Sequence, residues 1–92
     1  MAEPVGRKVR LYGRVQGVFF RQWTVDQARS SGIAGWVRNN SDGSLEAHLQ
    51  GDETAVGQLV ERMRRGPPQA RVDDVMVEDV EPEDLAGFSV KL

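Results

Sequence analysis

Gly13-Arg14-Val15-Gln16-Gly17-Val18-Phe19-Phe20-Arg21 closes one periodicity and opens another. Up to Val15 the residues alternate, with Val9, Leu11, Gly13 and Val15 on one side and Lys8, Arg10, Tyr12 and Arg14 on the other, which predicts a half-buried strand over 7–15. From Phe20 the spacing is helical: Phe20, Thr24 and Ala28 fall at i, i+4 and i+8, with Trp23 and Val25 beside them. Gln16-Gly17-Val18 is the break. A strand that turns into a helix over a glycine aims several backbone N–H groups, and the positive end of the helix dipole, at one point. Arg21 adds a guanidinium suited to a phosphate or carboxylate. A first-turn cation is disfavoured by that dipole unless it meets an anion. The stretch therefore reads as an anion site, with Gln16 bracing the loop.

Outward from this junction the chain keeps switching period. Gly32 is placed to end the first helix. Ile33–Asn40 and Leu45–Gln50 alternate around the turn Asn40-Ser41-Asp42-Gly43, which predicts an antiparallel hairpin. Asn39 falls on the face of Gly35 and Val37, expected to be buried, where an amide needs a partner or a task. Asp52 caps a second helix whose apolar stripe is Val56, Leu59, Val60 and Met63, and Gly66-Pro67-Pro68 stops it. Residues 70–80 form another strand, with Val72 out of phase with Val75 and Val77 and hence a bulge. Phe88, Val90 and Leu92 alternate as a short last strand. The order βαββαβ plus that strand predicts an α+β, ferredoxin-like two-layer sandwich, its sheet rich in antiparallel pairs and its two helices on one face. One domain over 1–92 is expected, with 1–6 as a flexible tail.

Composition narrows the function. Cysteine is absent, so no disulfide, thiol nucleophile or thiolate metal site is available, and a reducing cytoplasm fits. No stretch has the length and apolarity of a membrane span, and residues 1–8 lack the apolar core of a signal peptide. The net charge of −2 is uneven: residues 1–40 carry seven Lys and Arg against Glu3 and Asp26, while the remainder carries five against twelve acids. An anion is drawn to the first part, yet an acidic chain with only Tyr12 as a sheet aromatic makes a poor nucleic-acid surface. His48, the single histidine, alternates onto the outer face of its strand without a carboxylate dyad and reads as no base or ligand. Trp23 and Trp36 read as core or partly covered surface. Ser30 and Ser31 have no histidine to activate them.

The nine residues 13–21, followed by Gly35-Trp36-Val37-Arg38-Asn39 and Asp42-Gly43, closely resemble the acylphosphatase family, and the resemblance runs over nearly all of 7–92. Phe88-Ser89-Val90 also looks like that family's closing strand. Departures are small: Asn40 stands where a hydroxyl residue is usual, and Ile33 and Ala34 vary aliphatic positions. The resemblance implies hydrolysis of the carboxyl–phosphate anhydride of acyl phosphates to a carboxylate and inorganic phosphate, with no metal, no cofactor and no phosphoenzyme. By motif position it implies that Arg21 binds the phosphate, that Asn39 orients the attacking water, and that Gln16, Gly17, Val18, Phe19 and Phe20 form the phosphate cradle. A cytoplasmic monomer working on a small molecule, without nucleic acid or membrane, is the expectation. The competing readings are an anion-binding module that keeps the loop without needing Asn39, an RNA-binding domain of the same fold, and a piece of a larger carbamoyl-phosphate-handling maturation enzyme.

Overall fold

Six of the seven residues of one strand, Leu45–Gly51, are buried, because it is the middle of a five-stranded sheet. The computed structural model describes residues 3–92. In chain order the elements are β1 (Val5–Arg14), α1 (Phe20–Ser30), β2 (Ala34–Asn39), β3 (Leu45–Gly51), α2 (Glu53–Arg65), β4 (Arg71–Val80) and β5 (Phe88–Val90). The strands lie in the order β4-β1-β3-β2-β5. All pairs are antiparallel except β2 with β5, which run parallel with Val37 opposite Val90. This is the expected ferredoxin-like sandwich, with the late strand added as an edge.

The helices cover one face. Val9 and Leu11 of β1, Leu45, Ala47 and Leu49 of β3 and Val37 of β2 meet Phe20, Val25 and Ala28 of α1 and the full predicted stripe of α2. Asp52 caps α2 by accepting from the Ala55 N–H at 3.1 Å, and Gly66 ends it. Gly32, expected to end α1, follows the cap Ser31 in the left-handed region at φ 68°. The bulge expected near Val72 is present: Tyr12 faces Asp74 while Gly13 faces Val72, leaving Asp73 extra.

Three expectations need correction. β1 begins at Val5, since Val5 pairs with Gly51 and Gly6 with Val80, so only Glu3 and Pro4 of the expected tail lie outside a strand; Met1 and Ala2 are outside the described residues. Leu92 lies beyond β5 and is fully exposed. His48 is not on an outer surface but 1 % exposed. The cause is topological. Residues 81–87 must link β4 at one edge to β5 at the other, a span of four strand spacings, about 19 Å. Seven residues reach roughly 23 Å when extended. The link therefore has little slack, and it crosses the sheet beside the end of β3. Gln50 holds it, donating to the Glu83 carbonyl at 2.8 Å and accepting from the Glu83 N–H at 2.7 Å. His48 sits beneath, 2.7 Å from Gln50 Oε1 and stacked on Trp36.

Candidate active site

Gly17 takes φ 74° and Phe19 takes φ 63°, so the chain passes twice through the left-handed region within three residues. Glycine does this freely, whereas a phenylalanine there is strained. Such successive turns point neighbouring N–H groups to one side as an anion-binding nest. Phe19 is also the N-cap of α1 and offers no side-chain cap, and the first helical turn holds no acid. The first bonded amide is that of Trp23, on the Phe19 carbonyl at 3.0 Å. Among the described residues, the amides of 17–22 donate to no protein acceptor.

Five of these six residues, Gly17, Phe19, Phe20, Arg21 and Gln22, line a cavity of about 350 Å³ together with Val15, Asn39 and Val90. Arg21 and Asn39, eighteen residues apart in sequence, thus meet at one opening. Arg21 is exposed and makes no ion pair among the described residues, unlike Arg7, Arg10, Arg38, Arg64 and Arg71. Asn39 is the last residue of β2. Its Oδ1 is buried without a donor, and among the described residues its Nδ2 has no acceptor. Rotating the amide exchanges its two ends at no cost in protein hydrogen bonds, so either can face the cavity.

The expected cradle residues divide. Gly17, Phe19 and Phe20 line the cavity. Val18 is buried in the core and borders a second groove beyond Phe19 instead. Gln16 does not line the cavity. Its Nε2 donates to the carbonyls of Asn40 at 2.8 Å and Ser44 at 3.0 Å, tying the loop to the β2–β3 turn. That turn is held in its own right, with Ser44 donating to Asp42 through both N–H and Oγ, which keeps the Asp42 carboxyl below its ordinary value. Asn40, in the usual hydroxyl position, donates to Ser44 Oγ at 3.0 Å and to Glu46 Oε1 at 3.1 Å. Glu46 also faces Lys8, Arg10 and Arg38 at 3.2–3.9 Å. Burial opposes its ionisation, but the hydrogen bonds from Asn40 and Arg38 and the charges of Arg38 and Arg10 outweigh that and lower its pKa.

Sequence reasoning missed Val15, Gln22 and Val90 as lining residues. Val90 arrives only through the parallel pairing of β5 on β2, where Lys91 N–H donates to the Val37 carbonyl at 2.9 Å. Gln22 follows from Arg21, one residue on in the first turn of α1.

The comparisons with known proteins bear on the chain as a whole. The acylphosphatase family model matches residues 7–90. The acylphosphatase of Rhodospirillum rubrum is 52 % identical over 83 residues, 90 % of this chain and 91 % of that protein. That of Anaeromyxobacter dehalogenans is 49 % identical over 92 residues, 99 % of each chain. The solved structure of an acylphosphatase from Coxiella burnetii superposes with a TM-score of 0.92 at 36 % identity, covering 96 % of this chain and 93 % of that one. A nest of free amides, an unpaired arginine and a partnerless asparagine amide thus lie in a chain that matches these proteins over nearly its whole length, and the chain belongs to the acylphosphatase family.

Proposed function

We propose that this acylphosphatase hydrolyses acyl phosphates without a metal, with Arg21 and the amides of the 16–20 loop holding the phosphoryl group and Asn39 orienting the attacking water. The observation that carries the reading is the convergence of Arg21, Asn39 and the free amides on one cavity. Phosphoryl transfer asks mainly for alignment and for stabilisation of charge on the equatorial oxygens. The guanidinium and the amides supply the second. The leaving group is a carboxylate, the conjugate base of an ordinary acid, so it needs little help from a general acid.

Water oxygen forms the new bond to phosphorus as the phosphorus–acyl oxygen bond breaks, and the carboxylate leaves with the electron pair. An amide cannot take the water's proton at neutral pH. The cavity lining has no carboxylate, imidazole or thiol to do so. A phosphoryl oxygen of the substrate is the acceptor, and inorganic phosphate is the product. The same lining holds no carboxylate, and its two side-chain amides, Gln22 and Asn39, stand beside the Arg21 cation, which supports the metal-free reading. The remaining expectations, a monomer in the cytoplasm without a nucleic-acid partner, go with the small-molecule chemistry.

The test is release of phosphate from benzoyl phosphate in excess EDTA, beside Arg21→Ala and Asn39→Ala. Turnover in the wild type and its loss in both variants is expected. Turnover that EDTA abolishes, or that both variants retain, would overturn the assignment.

A further inference from the structure

Beyond Phe19 lies a second groove of about 370 Å³, and Phe19 and Gln22 line both it and the phosphate cavity. Its walls are Val18, Trp23 and Asp26 on the side of α1 and Pro67, Pro68 and Gln69 in the α2–β4 connection. They are mostly apolar. Phe19 stands 79 % exposed on the ridge between the two cavities, in a strained left-handed backbone conformation. Trp23 is half-buried and held edge-on against Phe20, with ring centroids 5.4 Å apart.

The direction of the reaction selects this groove. Attacking and leaving oxygens stand roughly in line across phosphorus. Asn39 is at the end of β2, on the β2–β5 side of the loop. A water held there puts the leaving acyl oxygen on the side away from Asn39, and the groove opens on that side: it shares Phe19 and Gln22 with the cavity, lacks Asn39, and is closed by the Pro67-Pro68 segment.

We propose that this groove is the acyl-group subsite, and that the preferred substrates are acyl phosphates whose acyl group is uncharged and aromatic or branched aliphatic. The inference rests on the assignment of Arg21 and Asn39 above. Asp26 sets its sign: it stands in the groove wall, exposed, accepting from Gln22 Nε2 at 2.9 Å, and it disfavours an acyl group with a distant second anion.

The experiment compares kcat/KM for acetyl, benzoyl and 4-carboxybenzoyl phosphate in the wild type, Phe19→Asn, Trp23→Leu and Asp26→Lys. Asparagine accepts the left-handed conformation at position 19. In the wild type benzoyl phosphate should exceed acetyl phosphate by about tenfold or more, chiefly through KM, the scale of one well-placed apolar group. Phe19→Asn and Trp23→Leu should each reduce that ratio at least threefold. Asp26→Lys should raise 4-carboxybenzoyl relative to benzoyl phosphate at least threefold. Benzoyl-to-acetyl ratios within twofold of wild type in folded Phe19→Asn and Trp23→Leu would overturn the subsite while leaving the reaction assigned. An unchanged carboxybenzoyl preference in Asp26→Lys would overturn it too. Phe19 and Asp26 are exposed, so those variants decide the matter even if Trp23→Leu does not fold. Hydrolysis of none of the three by folded wild type would overturn the catalytic assignment and this inference with it.

Discussion

Arg21 and Asn39 are both residues that the fold does not need, and that separates their roles from structural ones. Arg21 is exposed, unpaired, and opposed by the dipole of the helix that carries it. Arg21→Ala should therefore leave thermal stability unchanged or slightly improved, while kcat/KM falls by about 10²–10³, the usual cost of losing one preorganised charge contact. Inorganic phosphate should cease to inhibit in the same variant, and Arg21→Lys should recover part of both. Asn39 gives a sharper contrast. Its amide has no partner among the described residues and its Oδ1 is buried, so the fold carries an unsatisfied acceptor. Asn39→Ala should cost no stability, and removing the orphaned oxygen stabilises by up to about 1 kcal/mol. Activity should move the other way, with kcat falling at least tenfold and KM little changed. A variant that loses stability and raises only KM would show a structural amide instead. These two positions were legible in sequence because each breaks a local rule: a cation in a first helical turn, and an amide on a buried strand face.

At the scale of elements, the junction between β1 and α1 has to be held against the β2–β3 turn for the two proposed site residues to meet. Gln16 is that link, through the carbonyls of Asn40 and Ser44. Gln16→Ala leaves two carbonyls without their side-chain donor at a half-buried position, and should cost about 1 kcal/mol by urea denaturation. Because the loop then moves relative to Asn39, kcat should fall several-fold. A loss of stability with full activity would show that the turn holds its place alone. The elements themselves were legible, since each period matched its residues and each stop had turn chemistry: Gly66-Pro67-Pro68 after α2, Asp42-Gly43 in the hairpin, and the phase slip at Val72. What alternation could not reveal was burial on the second face of β3. Glu46, His48 and Gln50 alternate as an exposed face would, yet all three are covered. The cover is made by residues 81–87 and by long cations from neighbouring strands, contacts set by strand order rather than by anything local. For the same reason the sequence named Arg21 and Asn39 but not Val90, whose place depends on β5 pairing parallel to β2.

The molecule as a whole has one sheet face closed by helices and one closed only in part, and Glu46 is the keystone of the second. Lys8, Arg10 and Arg38 come from two strands flanking β3 and converge on its single carboxylate. At neutral pH Glu46→Gln leaves those three cations facing one another. Their side chains are 37–40 % exposed, so solvent screens much of the repulsion, and the cost should be about 1–2 kcal/mol rather than the 3–5 of a fully buried pair. Acid behaviour follows from the direction of the shift. The folded protein holds the Glu46 pKa below its ordinary 4.5, despite burial, through Asn40 and the two arginines. The unfolded chain thus binds the proton first as pH falls. The stabilisation is complete above 4.5 and is lost as pH drops through the folded value. Asp42, lowered by Ser44, adds in the same direction. Wild-type unfolding midpoints should therefore fall steeply below pH 4.5, and those of Glu46→Gln should fall less steeply, so that the two curves converge. Catalysis should not follow that curve from above, because the cavity lining holds no carboxylate, imidazole or thiol. Between pH 6 and 9, kcat should stay flat in both proteins. A basic or acidic limb in that window would require a protein group to carry the water's proton, and would overturn its assignment to the substrate's own phosphoryl oxygen.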